Sequence, residues 1–87
     1  MTRRLAWTEE AWSDYLYWQS QDKKTLKRIN KLIADVFRSP FEGLGKPEAL
    51  KQNLKGFWSR RIDNTNCLVY AVNETHVTII ACRYHYE

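Results

Sequence analysis

Five side chains in this sequence carry the means for one kind of chemistry. Glu48 lies in the Gly- and Pro-punctuated stretch FEGLGKPEALK, with Lys51 three residues on. Arg60 and Arg61 are adjacent in FWSRRI, and His85 stands near the end of the chain in ACRYHYE. A carboxylate, a set of cations and an imidazole suit metal-free cleavage of RNA. A base must take the proton of the ribose 2′-OH, and an acid must give one to the departing 5′-oxygen. The phosphorane between them gathers negative charge that fixed cations stabilise. The same residues also fit a plainer reading, in which Glu48 caps a helix and the cations are solvated surface charge. Spacing alone does not separate the two.

Other chemistries find no pattern here. There is no G-x-x-x-x-G-K-[ST] phosphate loop, no G-x-S-x-G elbow and no H-E-x-x-H pair. Cys67 and Cys82 form neither a C-x-x-C pair nor a secreted disulfide framework, and His76 and His85 lack zinc-motif spacing relative to them. No metal or other cofactor is expected. No apolar stretch has the length of a membrane span, and MTRRLAW has no signal-peptide apolar core, so a cytoplasmic protein with no membrane partner is expected.

The formal net charge of +4 is unevenly spread. Residues 1–22 hold two Arg against Glu9, Glu10, Asp14 and Asp22, a balance of −2. Residues 23–62 hold eleven Lys and Arg against Asp35, Glu42 and Glu48, a balance of +8. Residues 63–87 return to −2. A basic belt of this kind fits a polyanion partner. Four Trp, five Tyr and three Phe supply rings that fill a small core or stack on nucleic-acid bases.

These residues need a scaffold, and 87 residues suggest one domain, 1–87, with one modest core. RRLAW reads as a short strand. Thr8 caps a helix with Glu9 and Glu10 in its first turn. Ala11, Tyr15 and Trp18 mark its buried face, widened by Trp12 and Leu16. Asp22 caps a second helix, residues 23–37, with Leu26, Ile29, Ile33 and Val36 inward and Lys23, Lys24, Lys27, Arg28 and Lys31 outward. The Ser39–Pro40 step ends it. The stretch 41–56 reads as loop, with a possible turn of helix near 48–52. FWSRRI, CLVYAV and VTIIACRYHY, separated by DNTN and NETH, read as an antiparallel meander.

The expected fold is therefore α+β, in the order β-α-α-β-β-β. A helical hairpin covers one face of an antiparallel-rich sheet and leaves the other face partly open. Alternation puts Arg60 and Arg61 on opposite faces, so one can pair with a carboxylate while the other meets a phosphate. On the last strand it groups Val77, Ile79, Ala81, Arg83 and His85 against Thr78, Ile80, Cys82, Tyr84 and Tyr86.

AWTEEAWSDYLYWQSQDKK, SPFEGLGKPEALKQNLKGFWSRRI and LVYAV followed by ACRYHY together resemble the YoeB (Txe) toxins of the RelE-like superfamily, from Leu5 to Tyr86. The resemblance implies a microbial-ribonuclease-like fold and a toxin of a type II toxin–antitoxin system. It implies an endoribonuclease that cuts mRNA in the A site of the 70S ribosome by metal-free acid–base transesterification. It further implies neutralisation by a YefM-type antitoxin, antitoxin-mediated contact with operator DNA, and a homodimer. By position, Glu48 matches the general base, His85 the general acid, Tyr86 the group that holds and stacks substrate, and Lys51 and Arg61 the cations near the cut phosphate.

Two positions depart from that pattern. Where the family has an Arg before LVYAV, this chain has Cys67. That Arg is the family's transition-state cation, and losing such a stabiliser costs about 10²–10³ in rate. Glu87 adds a carboxylate beyond the His–Tyr pair. A weakened toxin is expected. The alternative is a catalytically impaired toxin fold that still binds antitoxin and ribosome and co-represses its operon. A further reading is a basic adaptor that binds RNA without cutting it. A catalytic thiol at Cys67 has no evident His partner in the sequence, and RNA transesterification needs none.

Overall fold

The computed structural model describes residues 3–84. Two helices are fixed by their caps. Thr8 Oγ1 accepts from the Ala11 N–H and opens α1, Glu9–Gln21. Asp22 closes α1 through its N–H on the Trp18 carbonyl and opens α2, Lys23–Arg38, by accepting from the Lys24 and Thr25 N–H groups. One residue thus makes the hairpin bend, and its carboxyl is held below the usual aspartate range by the Thr25 side-chain and backbone hydrogen bonds. Among the described residues no helix is long and apolar enough to cross a membrane.

Five strands form one sheet: β1 Arg4–Trp7, β2 Glu48–Ala49, β3 Phe57–Arg61, β4 Cys67–Val72 and β5 His76–Ala81, in spatial order β1-β5-β4-β3-β2. The α+β class and the β3-β4-β5 meander agree with the sequence reading. β2 departs from the loop or turn of helix that the sequence suggests. It is a two-residue strand, with Glu48 opposite Ser59 and Ala49 opposite Trp58, and the helical turn comes later, at Gln52–Leu54. The first strand runs parallel to β5, with Leu5 opposite Val77 and Trp7 opposite Ile79.

The helices cover one face. Ile29, Leu32, Ile33 and Val36 of α2 and Ala11 and Trp18 of α1 pack on Ile62, Leu68, Tyr70, Val77, Ile79 and Cys82. Trp12 and Leu16 do not widen that face. They are 46% and 45% exposed, because α1 meets the sheet through Ala11 and Trp18, and Trp12 lies instead on the rings of Trp7 and Tyr15.

The last strand also differs from simple alternation. Tyr70 faces Ile79 and Val69 faces Ala81, so Ile80 is an extra residue on β5. Such a bulge reverses the inward–outward phase beyond it. Cys82, rather than Ala81, therefore joins Val77 and Ile79 in the core. The strand stops at Ala81, so Cys82, Arg83 and Tyr84 lie beyond it.

Candidate active site

The register places the predicted groups relative to one another. Glu48 pairs with Ser59, Ser59 with Val69 and Val69 with Ala81, which makes one row across the sheet face turned away from the helices. The next row holds Arg61 opposite Cys67. Residues two apart on a strand are about 7 Å apart on one face, so Arg61 stands one row from Glu48. This face is only partly open. Cys67, Val69 and Ala81 are buried at its centre, while Glu48 and Arg61 are exposed at its rim.

Lys51 is exposed on the other side of Glu48, where its carbonyl accepts from the Leu54 N–H in the hairpin loop. It lies beyond the end of β2, at the start of the Gln52–Leu54 turn, on the side of Glu48 away from Arg61 along the β2–β3 hairpin. His85 and Tyr86 fall outside the described residues.

Arg60 is the group among the sequence candidates that the fold removes from the site. It is fully buried on the helix side, and all five of its N–H donors are used. Nε donates to Tyr70 Oη (3.1 Å), and Nη1 to Asp35 Oδ2 (2.6 Å) and the Leu44 carbonyl (3.3 Å). Nη2 donates to the carbonyls of Ser39 and Glu42. Tyr70 Oη in turn donates to the Pro40 carbonyl at 2.7 Å.

Asp35 also accepts from Arg38 and from the Leu44 N–H. The Arg38 hydrogen bond, then those of Leu44 and Arg60, hold its carboxyl well below the usual aspartate range. Thus a buried ion pair holds three carbonyls of the 39–44 loop, and Tyr70 holds a fourth, in the segment that leads into Glu48. Gly43 (φ 121°) leaves room for this clamp, since a Cβ there would stand 2.2 Å from Asp35 Oδ2. Gly45 (φ 78°) lets the loop touch β3, where its carbonyl accepts from the Arg61 N–H at 2.7 Å.

The end of β5 is aimed by α1. The Trp18 indole donates to the Cys82 carbonyl at 2.7 Å, and Asp14 accepts from the Cys82 N–H at 3.0 Å. Burial pushes the Asp14 carboxyl up, partly offset by that N–H. The Arg83 guanidinium lies 3.5 Å above the Tyr17 ring and 4.6 Å from the Tyr84 ring, a cation–π contact on each side.

Tyr84 then takes a left-handed backbone, φ 66°, uncommon for an aromatic residue. Its N–H donates to Asn66 Oδ1 (2.7 Å) and its carbonyl accepts from the Cys67 N–H (2.9 Å). Asn66 is itself held by Asp63, which caps the β3–β4 turn. Burial pushes the Asp63 carboxyl up, but its bonds from Thr65 and Asn66 outweigh this and leave it lowered. The described chain therefore ends against Cys67, beside Arg61.

Burial raises the Cys67 thiol; Arg61 opposes this, while Asp63 and Glu48 add to it. A thiol so shifted is a poor source of thiolate. Sequence reasoning missed Asp35, Tyr70 and Asn66 as supports of the site. A single acid inside the apolar face of α2 was the available signal for Asp35.

Comparison with known proteins adds the family. The model of the YoeB-like toxin of the bacterial type II toxin-antitoxin system matches residues 7–86. This chain belongs to the YoeB-like toxin family. It is 61% identical over 83 residues to Toxin YoeB of Escherichia coli (strain K12), covering 95% of this chain and 99% of that one. The fold matches the YoeB dimer structure from Staphylococcus aureus, with a TM-score of 0.91, 44% identity and coverage of 99% and 100% of the two chains. It also matches the YoeB-YefM complex from the same species, with a TM-score of 0.89, 42% identity and the same coverage.

Proposed function

We propose that this YoeB-type toxin is a ribosome-dependent mRNA endonuclease whose cleavage site is the sheet face that carries Glu48 and Arg61. The observation behind this reading is their placement in neighbouring rows of one face, next to the point where Tyr84 leads into His85. Glu48 takes the proton of the ribose 2′-OH. The 2′-oxygen bonds to phosphorus, and the phosphorus–5′-oxygen bond breaks as His85 protonates the leaving oxygen. The products are a 2′,3′-cyclic phosphate and a 5′-hydroxyl. Arg61 and Lys51 stabilise the charge on the phosphorane, and Tyr86 stacks on a base.

The work is done in the cytoplasm, where ribosomes are. A YefM-type antitoxin restrains the toxin, a homodimer is its resting form, and the complex with antitoxin binds operator DNA. The S. aureus relatives, described as a dimer and as a YefM complex, support the antitoxin and dimer parts of this reading. The test is the chemistry of the cut ends on programmed ribosomes. Cyclic phosphate ends that vanish in Glu48→Gln and in His85→Gln are expected. Undiminished cutting by both variants would overturn the proposal.

Cys67 favours a second reading, a toxin fold whose binding outlasts its catalysis. A buried neutral thiol stands where the family resemblance expects a cation. Undetectable cleavage together with intact antitoxin and ribosome binding would establish that reading.

A further inference from the structure

Among the described residues, three that are not glycine take a left-handed backbone: Lys46 (φ 52°), Gln52 (φ 57°) and Tyr84 (φ 66°). Each stands close to a residue of the proposed site. Lys46 lies two residues before Glu48, Gln52 directly after Lys51, and Tyr84 directly before His85. Backbone strain of this kind persists only where the surroundings over-determine it, and it gathers at functional sites. Tyr84 is the bulkiest of the three and so the most unusual.

Two neighbours hold Tyr84. Its carbonyl accepts from the Cys67 N–H, a bond that any residue but proline would supply. Its N–H donates to Asn66 Oδ1 at 2.7 Å, which depends on one side chain. Asn66 is buried, although the turn that carries it is exposed. Its Nδ2 donates to Asp63 Oδ1 (3.1 Å), Asp63 Oδ2 (3.2 Å) and Thr65 Oγ1 (3.1 Å). The turn closes without this amide, through the Ile62 and Asp63 N–H groups on the Asn66 carbonyl and the Thr65 and Asn66 N–H groups on Asp63 Oδ1. The amide does something further. It has an acceptor for the Tyr84 N–H and a donor for the Asp63 carboxylate, and so joins the turn to the residue before His85.

We infer that the Asp63–Asn66 pair positions the general acid of the cleavage reaction. This rests on the reading above, in which His85 protonates the leaving 5′-oxygen. Cys82 is already fixed by Trp18 and Asp14, and Arg83 by the Tyr17 ring. Tyr84 is then the residue whose backbone sets the course of the chain into His85. A peptide unit is planar, so holding the Tyr84 N–H and carbonyl together fixes the direction in which the chain leaves it. Without the Asn66 amide, Tyr84 is free to relax to an ordinary negative φ, and that direction swings. Glu48 is held by its pairing with Ser59, and Arg61 by Gly45 and Cys67, neither through the Asn66 amide. Asn66 is therefore a positioning residue for the acid and leaves the base and the cation in place.

The test follows single-turnover cleavage of two messages on programmed ribosomes. One is ordinary RNA, and in the other a sulfur replaces the 5′-oxygen at the cut. With the second, the 2′-oxygen bonds to phosphorus, the phosphorus–sulfur bond breaks, and a thiolate departs that needs no proton from an acid. On ordinary RNA, Asn66→Ala is expected to cut about 10–10²-fold more slowly than the parent, at an unchanged half-saturating ribosome concentration. On the sulfur message the penalties of Asn66→Ala and of His85→Gln are both expected to disappear. The exchange Asp63→Asn/Asn66→Asp reverses donor and acceptor across the pair and is expected to restore most of the rate on ordinary RNA. Should Asn66→Ala not fold, Asn66→Asp takes its place with the same result expected, because it sets two carboxylates against each other. Should the parent cut too slowly to follow, the same set is measured with Cys67→Arg, which keeps the backbone N–H at 67.

Equal rates for the parent and Asn66→Ala on ordinary RNA, with His85→Gln slow, would overturn the inference and leave the cleavage reading intact. An Asn66→Ala loss that persists on the sulfur message would also overturn it and give Asn66 a role in the fold at large. Undiminished cutting of ordinary RNA by His85→Gln, or no cutting by either the parent or Cys67→Arg, would defeat both.

Discussion

Arg60 and Arg61 are neighbours in the chain and lie on opposite faces of the same strand. Arg60 is buried against α2 with all five donors engaged, and through them it anchors the loop that leads into Glu48. Arg61 is exposed on the far face, and the polar bonds around it use its backbone: its N–H goes to Gly45 and its carbonyl accepts from Arg28. The lesson is that a cation whose N–H groups are all met by its own fold has none to offer a phosphate. The same residue type is locked into the fold on one face and left open to solvent on the other.

The largest effect should come from breaking the buried side of this pair. Arg60→Leu leaves Asp35 and the loop carbonyls without their donor, and removing one partner of a buried ion pair costs about 3–5 kcal/mol. Urea unfolding should register that loss or a failure to fold. Arg61→Ala should do the reverse. Its unfolding midpoint should stay within about 0.5 kcal/mol of the parent, while cleavage on ribosomes falls about 10²–10³-fold. Equal loss of stability in the two variants would erase the contrast.

A smaller effect sharpens the structural side alone. The Asp35 carboxyl is held below its unfolded value, so its stabilising contribution is complete above the unfolded aspartate pKa, about 3.9. That contribution fades as pH falls toward the folded pKa. Acid titration of unfolding should therefore show a steep loss below about pH 4. In Asp35→Asn the protein should be weaker at neutral pH and its acid-side slope shallower. An unchanged slope would mean that other carboxylates govern acid unfolding.

Much of this contrast was legible before the fold was known. A strand period of two separates adjacent arginines whatever the register, and Thr8 and Asp22 announced both helices because capping is local chemistry. Which arginine was structural was not legible, since the acceptors of Arg60 lie 10 to 25 residues away and converge only once α2 packs on the sheet. The bulge at Ile80 was hidden for a similar reason. It is held by α1, where Thr8 Oγ1 donates to the Ile80 carbonyl at 2.9 Å, and nothing in VTIIAC signals it. The pairing of β2 was invisible because two residues after a proline carry no period at all. Of the candidate site, Glu48, Lys51, Arg61 and Cys67 could be placed. The roles of His85 and Tyr86 rest on the family resemblance.

The central claim is that catalysis depends on positive charge on the sheet face away from the helices. It is tested most directly by primer extension on translating ribosomes with the parent chain, Arg61→Ala and Cys67→Arg side by side. The account predicts one set of cut positions, with rates rising from Arg61→Ala through the parent to Cys67→Arg, the last step by about 10² or more. Equal rates for the parent and Cys67→Arg, with both chains folded and ribosome-bound, would contradict it.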